Sequence, residues 1–167
     1  MKRLLFLTHY FPPEVTAAAN RTFEHIKRWQ QQGLKVTVIT NYPNHPNGEI
    51  PEDYQNKLFT RENHQGIEVI RVKTYATPNK GTYRRTLNFI VYFLMSIWAC
   101  FYIKKLDVII ATSPQFLCGL AGAVIKRIKN KPFILEIRDL WPDSIIAVGA
   151  LKEGNPVIKF LEFLEKK

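Results

Sequence analysis

The first forty residues constrain this chain more than any other stretch: an apolar strand, a proline-bearing loop, a helix and a second apolar strand. Lys2 to Thr8 carries the unbroken apolar run Leu4-Leu5-Phe6-Leu7, the pattern of a strand covered on both faces. The loop from His9 to Val15 cannot be helical, because Pro12 and Pro13 each drive the preceding residue out of the α region. Thr16 then stands where a helix cap is needed, its side-chain oxygen able to accept from the first turn. Ala17-Ala18-Ala19 strips bulk from that turn and leaves its backbone approachable. Phe23, Ile26 and Trp29 recur at helical spacing, Gly33 supplies a left-handed stop, and Leu34 to Thr40 returns as a strand. The spacing predicts a βαβ unit whose helix begins at a natural anion site.

At 167 residues the chain has the size of one ordinary domain, and its apolar (46%) and charged (23%) fractions are globular values. The net charge of +10 asks for an anionic partner: nucleic acid, anionic lipid or a phosphorylated small molecule. No zinc finger, RNP motif or basic helix occurs, which makes nucleic acid the weakest of the three. Cys100 and Cys118 each sit in an apolar helical pattern and read as reduced packing residues in a cytosolic chain. The N-terminal apolar run is too short for a signal peptide.

Beyond Thr40, residues 41–48 form a loop rich in proline and asparagine. Residues 57–61 and 67–74 predict a hairpin turning through Asn63-His64-Gln65-Gly66. Strands follow at 107–112 and 133–139, separated by a helix that Ser113 would cap with Pro114 at its first position. That helix would bury Leu117, Leu120, Val124 and Ile128 while its small residues approach the sheet. A last amphipathic helix opens near Asn155-Pro156, no closing strand follows, and the chain reads as cut. Alternating strands and helices predict a Rossmann-like, doubly wound, mostly parallel α/β sheet with a β-hairpin insertion.

Leu87 to Ile103 carries no charge, and its clearly polar residues are Asn88 and Ser96; Arg84-Arg85 precede it and Lys104-Lys105 follow. At about 1.5 Å per residue it would reach roughly 25 Å, marginal for a bilayer. Three readings stay open: a crossover helix packed on the sheet, one that packs and also lies in the lipid interface, and a membrane span. Aromatic residues on nearly every face exceed what a one-sided crossover needs.

In doubly wound sheets ligands bind beyond the carboxyl ends of the strands. Polar residues stand at those ends four times: Thr8-His9, Thr40-Asn41, Thr112-Ser113 and Arg138-Asp139. Any one pair is explained by the chain turning there; four together favour a cleft. Arg138-Asp139-Leu140-Trp141-Pro142-Asp143 joins a cation, two carboxylates and an aromatic platform, a set suited to a sugar ring, or else a salt-bridged turn with Trp141 in the core. The histidines are scattered, with no metal-ligand spacing, and neither a P-loop, a GxGxxG nor a GxSxG motif occurs.

His9-Tyr10-Phe11-Pro12-Pro13-Glu14 with its alanine-rich helix start, then Gly33 to Thr40, resembles the opening of glycosyltransferase family 4. Ala111-Thr112-Ser113-Pro114 and Glu136 to Pro142 resemble its bacterial O-antigen and capsule branch, which includes N-acetyl-fucosamine transferases. The resemblance spans residues 1–167, as the N-terminal, acceptor-side half of a two-domain GT-B enzyme. It implies retaining transfer from a nucleotide-sugar without a required metal or other cofactor, with the donor-binding domain absent and this chain inactive alone. It also implies that the loop with Glu14, Thr16, Ala17 and Ala18 nears the donor diphosphate, where relatives usually carry a glycine pair. Asp139 would orient the reacting groups, with Arg138 near the phosphates in place of the more usual histidine. His9, Asn41, Ser113, Trp141 and Asp143 would serve the acceptor. Arg84 and Arg85 would meet a polyprenyl diphosphate at the inner face of the plasma membrane, or are simply solvated. The rival reading is a non-catalytic half-transferase, recruited to the membrane, that pairs with a separate donor-binding chain. An unrelated nucleotide-binding domain is the third class, and it predicts tight nucleotide binding by this chain alone.

Overall fold

The computed structural model describes residues 2–77, 82–113 and 115–138. Two compact units divide the chain, Met1–Glu136 and Ile137–Lys167, and every element below belongs to the first. In chain order these are β1 (Arg3–Leu7), α1 (Ala17–Gln31), β2 (Lys35–Asn41), β3 (Phe59–His64), β4 (Ile67–Val72), α2 (Thr82–Cys100), β5 (Val108–Thr112), α3 (Phe116–Lys129) and β6 (Phe133–Glu136). They form one sheet in the order β3-β4-β2-β1-β5-β6, parallel except for β3. The doubly wound α/β architecture is therefore the observed one. The chain moves outward from β1 through β2 and β4, then returns to β5 on the other side of β1. This reversal opens a crevice at the carboxyl ends of β1 and β5.

The first βαβ unit forms as its sequence dictates. Thr16 Oγ1 accepts the N–H of Ala19 at 3.0 Å, and Gly33, at φ +84°, turns the chain out of α1. Ile26 is fully buried, with Phe23 and Trp29 packed beside it against Leu4, Phe6, Val36, Val38 and Val69. The opposite face of the sheet, with Leu5, Leu7, Ile39, Ile70 and Ile109, lies under α2 and α3.

The hairpin turns more tightly than expected. Asn63 and His64 stay in the ladder opposite Glu68 and Ile67, leaving Gln65-Gly66 as a two-residue turn with both φ angles positive. Ser113 does not cap α3, which starts at Phe116 after Gln115 without a side-chain cap. The Ser113 N–H is already committed to the Glu136 carbonyl at 2.9 Å, so Ser113 prolongs the β5–β6 pairing. β6 stops at Glu136 and not at Asp139, because its last partner on β5 is Thr112.

α3 also buries a different face from the expected one: Cys118, Gly119, Ala121, Gly122 and Ile125 are buried, while Ile128 is exposed. Close approach decides this. A Cβ on Gly122 would lie 2.4 Å from the Phe133 ring, so nothing larger fits between helix and strand. The bulky residues are displaced to the flanks.

α2 packs on the sheet as a crossover helix through Asn88, Tyr92, Ser96, Ala99 and Cys100, all buried. The Tyr92 hydroxyl donates to the Ile39 carbonyl at 3.1 Å. Outward it exposes Tyr83 (81% exposed), Ile90 and Leu94 (52% exposed), with Arg84, Arg85 and Thr86 exposed in its first turns and Phe101 just past its end. Among the described residues no helix is long and apolar enough to cross a membrane, so the spanning reading falls.

Candidate functional site

The carboxyl ends of the strands gather buried polar groups. Thr8, His9, Thr40, Asn41 and Thr112 are all nearly or wholly enclosed there. His9 leaves β1 and enters an aromatic cage, its ring centroid 4.8 Å from Tyr10, 5.2 Å from Phe89 and 5.1 Å from Tyr92. Asn41 Nδ2 approaches the His9 ring nitrogens at 3.0 to 3.1 Å, and the Thr40 hydroxyl donates to the His9 carbonyl at 3.3 Å. Burial pushes the His9 imidazole down to about 3, so it is neutral and offers hydrogen bonds, not charge, to a ligand. Asn41 Oδ1 has no partner among the described residues.

The loop after β1 is fixed from two sides. Glu14 Oε1 accepts the N–H groups of Asn44 and His45, both at 3.0 Å, which ties the loop after β1 to the loop after β2. Burial pushes the Glu14 carboxyl up, against the pull of those N–H groups, and its Oε2 has no partner among the described residues. Arg71, completely buried in β4, pairs with Glu62 at 2.7 Å and donates to the carbonyls of Asn41 and Pro12. One guanidinium thus ties the end of β2 to the loop after β1. Thr16 is occupied by its cap, which leaves the N–H groups of Ala17 and Ala18 as donors of the first turn with no partner among the described residues. That turn holds no acidic residue.

A narrow recess of about 20 Å³, roughly one water's room, adjoins this region. Tyr10, His45, Thr77, Arg85, Asn88 and Phe89 line it. Burial and the Glu14 carboxylate raise the Tyr10 phenol against the opposing charge of Arg85, which places Arg85 at the recess; Arg84 is exposed and does not line it. Asn88 Oδ1 and both polar atoms of Gln115 are buried without partners among the described residues.

Of the residues singled out from sequence, the structure brings His9, Asn41 and Glu14 into one connected network and sets Thr16, Ala17 and Ala18 at its edge. Ser113 is half-buried at the end of β5. Arg138 is half-buried in the second unit, and Asp139, Trp141 and Asp143 lie outside the described residues. Arg71, Asn88 and Gln115 were missed. A cation between Ile70 and Val72 in β4 and a lone amide in the uncharged part of α2 are the signals that point to the first two. Among the described residues no group of His, Cys, Asp and Glu is placed to hold a metal ion.

No family model matches the chain. It is 26% identical over 158 residues to a protein of Escherichia coli (strain K12) named as the colanic acid biosynthesis glycosyl transferase WcaI. The chain is thus similar in sequence to a protein named as a glycosyl transferase. The match takes in 93% of this chain but 38% of that relative's length. Among solved structures, the C-terminal domain of a hydrogenase from Pyrococcus furiosus superimposes with a TM-score of 0.51 at 13% identity, covering 81% of this chain and 91% of that one. That likeness concerns the fold alone.

Proposed function

We propose that residues 1–167 form the N-terminal, acceptor-side domain of a retaining, family 4-like glycosyltransferase that acts in cell-surface glycan synthesis. It would move a sugar from a nucleotide-sugar to a lipid-linked or polysaccharide acceptor, with a separate C-terminal domain holding the donor. One observation carries the reading: the match to the colanic acid transferase runs along 93% of the chain, the stretch that contains the polar crevice.

In this reading the N–H groups of Ala17 and Ala18 face the donor diphosphate at the start of α1, where the helix dipole favours negative charge. Neutral His9 and Asn41 hold acceptor hydroxyls, joined by Ser113, Trp141 and Asp143. Arg85 at the recess, with Arg84 beside it, meets an acceptor diphosphate. Asp139 orients the reacting sugar or hydroxyl and Arg138 balances the leaving phosphate, which itself takes the acceptor proton; no metal is required. The outward apolar row of α2 lies in the lipid interface at the inner face of the plasma membrane.

Transfer from labelled nucleotide-sugar to membranes, measured for the native protein and for Asp139→Ala, tests the assignment. A fall of about 100-fold is expected, comparable with losing one preorganised transition-state contact. Unchanged transfer removes Asp139 from the site.

A further inference from the structure

A cavity lies at the other end of the sheet, away from the candidate site. It measures about 590 Å³, within the range of small-ligand sites. Arg3 opens β1, Lys35 opens β2, and Ile103 to Leu106 lead into β5, so the groove sits at the amino ends of the parallel strands. Its lining carries five cations, Arg3, Lys35, Arg61, Lys104 and Lys105, against one carboxylate, Glu68. That carboxylate is already spoken for: Glu68 accepts from Arg61 at 3.2 Å and from the Thr37 hydroxyl at 2.9 Å. Arg61 is fixed further by donating to the Tyr102 carbonyl at 2.7 Å. The side chains of Arg3, Lys35, Lys104 and Lys105 have no ion-pair partner among the described residues.

The remaining wall is apolar, and its rim is exposed. Phe101 (60% exposed) and Tyr102 stand at the groove, and Phe101 is also the last member of the apolar row that begins at Tyr83. A free phosphate would use the cations and leave this rim bare. An anion that carries hydrocarbon would use both.

We propose that this groove binds the phosphate headgroup of an anionic lipid, with Lys35, Lys104 and Lys105 meeting the phosphate and Phe101 and Tyr102 meeting the first segment of its chains. The site is separate from the crevice at the carboxyl ends, and it stands whether or not the chain serves glycosyl transfer. Because α2 runs about 28 Å between its two ends, a headgroup held here would fix one end of the helix at the surface while Arg84 and Arg85 lie at the other.

The test uses soluble, short-chain lipids, so it needs no bilayer. Binding of monomeric dihexanoyl phosphatidylglycerol, dihexanoyl phosphatidylcholine and glycerol phosphate is measured by NMR titration of the whole chain. Phosphatidylglycerol is expected to bind at least tenfold more tightly than either of the others. Lys35→Glu/Lys104→Glu/Lys105→Glu should weaken it by at least tenfold, whereas Lys126→Glu/Arg127→Glu on α3 leaves it within twofold. Equal binding of the two lipids would overturn the anion site. Equal binding of glycerol phosphate would make it a site for free phosphate and not for lipid. Equal losses in the two charge-reversed variants would reduce it to general attraction by a basic protein, and the proposal would fall. All variant positions are exposed and none anchors the core, and unchanged amide spectra outside the groove verify that the variants fold.

Discussion

α1 and α2 lie on opposite faces of one sheet, yet they turn opposite chemistry to the solvent. α1 shows Asn20, Glu24 and Arg28 outward and buries Ala19 and Ile26. Past its basic first turn α2 buries Asn88 and Ser96, the two clearly polar residues from Leu87 on, and exposes Ile90 and Leu94 along with Tyr83 nearer its start. A helix needs only one apolar face to hold its place on a sheet. α1 has that and no more. α2 carries a second apolar face that packing does not require, continuous with the basic groove at one end and with Arg84 and Arg85 at the other. An exposed apolar surface of this kind marks a site of interaction, and the flanking cations suit an anionic membrane.

The sharpest way to break the comparison is to truncate each helix on both sides. Ile26→Ala removes the anchor of α1 and should cost about 2–5 kcal/mol in denaturant unfolding. A loss well below that would mean α1 is not held by its inward face.

His9, caged partly by α2, should make stability fall in acid. Its native value of about 3 lies below the unfolded value of 6.5, so its contribution is complete above pH 6.5 and is lost as pH drops toward 3. By pH 5 the loss is about 2 kcal/mol. Glu14 works in the opposite sense, because burial raises its carboxyl and its contribution is larger when it is protonated. His9→Gln should therefore flatten the acid limb between pH 6.5 and 5, and comparing the two chains over that range checks it.

The first βαβ unit was legible because its signals are local: an apolar run, two prolines, a capping threonine and Gly33. α3 was misread because periodicity weighs bulky side chains, whereas its contact with β5 and β6 is set by Gly119 and Gly122. Ser113 was misread because the β5–β6 pairing runs on to it through Glu136, a partner that no local pattern reveals, and α3 starts only at Phe116. In the candidate site, His9 and Asn41 stood out as polar residues closing apolar strands. Gln115 carried no such mark, and the burial of Asn88 depends on which way α2 rolls on the sheet.

Smaller effects sharpen the contrast. Tyr92→Phe removes the hydrogen bond from α2 to the Ile39 carbonyl and should cost about 1 kcal/mol by thermal or chemical unfolding. Ile90→Ser/Leu94→Ser should shift stability by no more than about 0.5 kcal/mol per site, while cosedimentation with phosphatidylglycerol vesicles falls several-fold. A large stability loss in that pair would show that the outward row is part of the core after all.

The most direct measurement places one fluorophore on each helix. Cys100 and Cys118 are buried, and burial pushes the Cys118 thiol up to about 12, so Leu94→Cys and Glu24→Cys can be labelled selectively in the folded protein. Added phosphatidylglycerol vesicles with brominated chains should quench the label at position 94 and leave the label at position 24 unchanged. Equal quenching at both positions, or none at 94, would contradict a membrane role for α2.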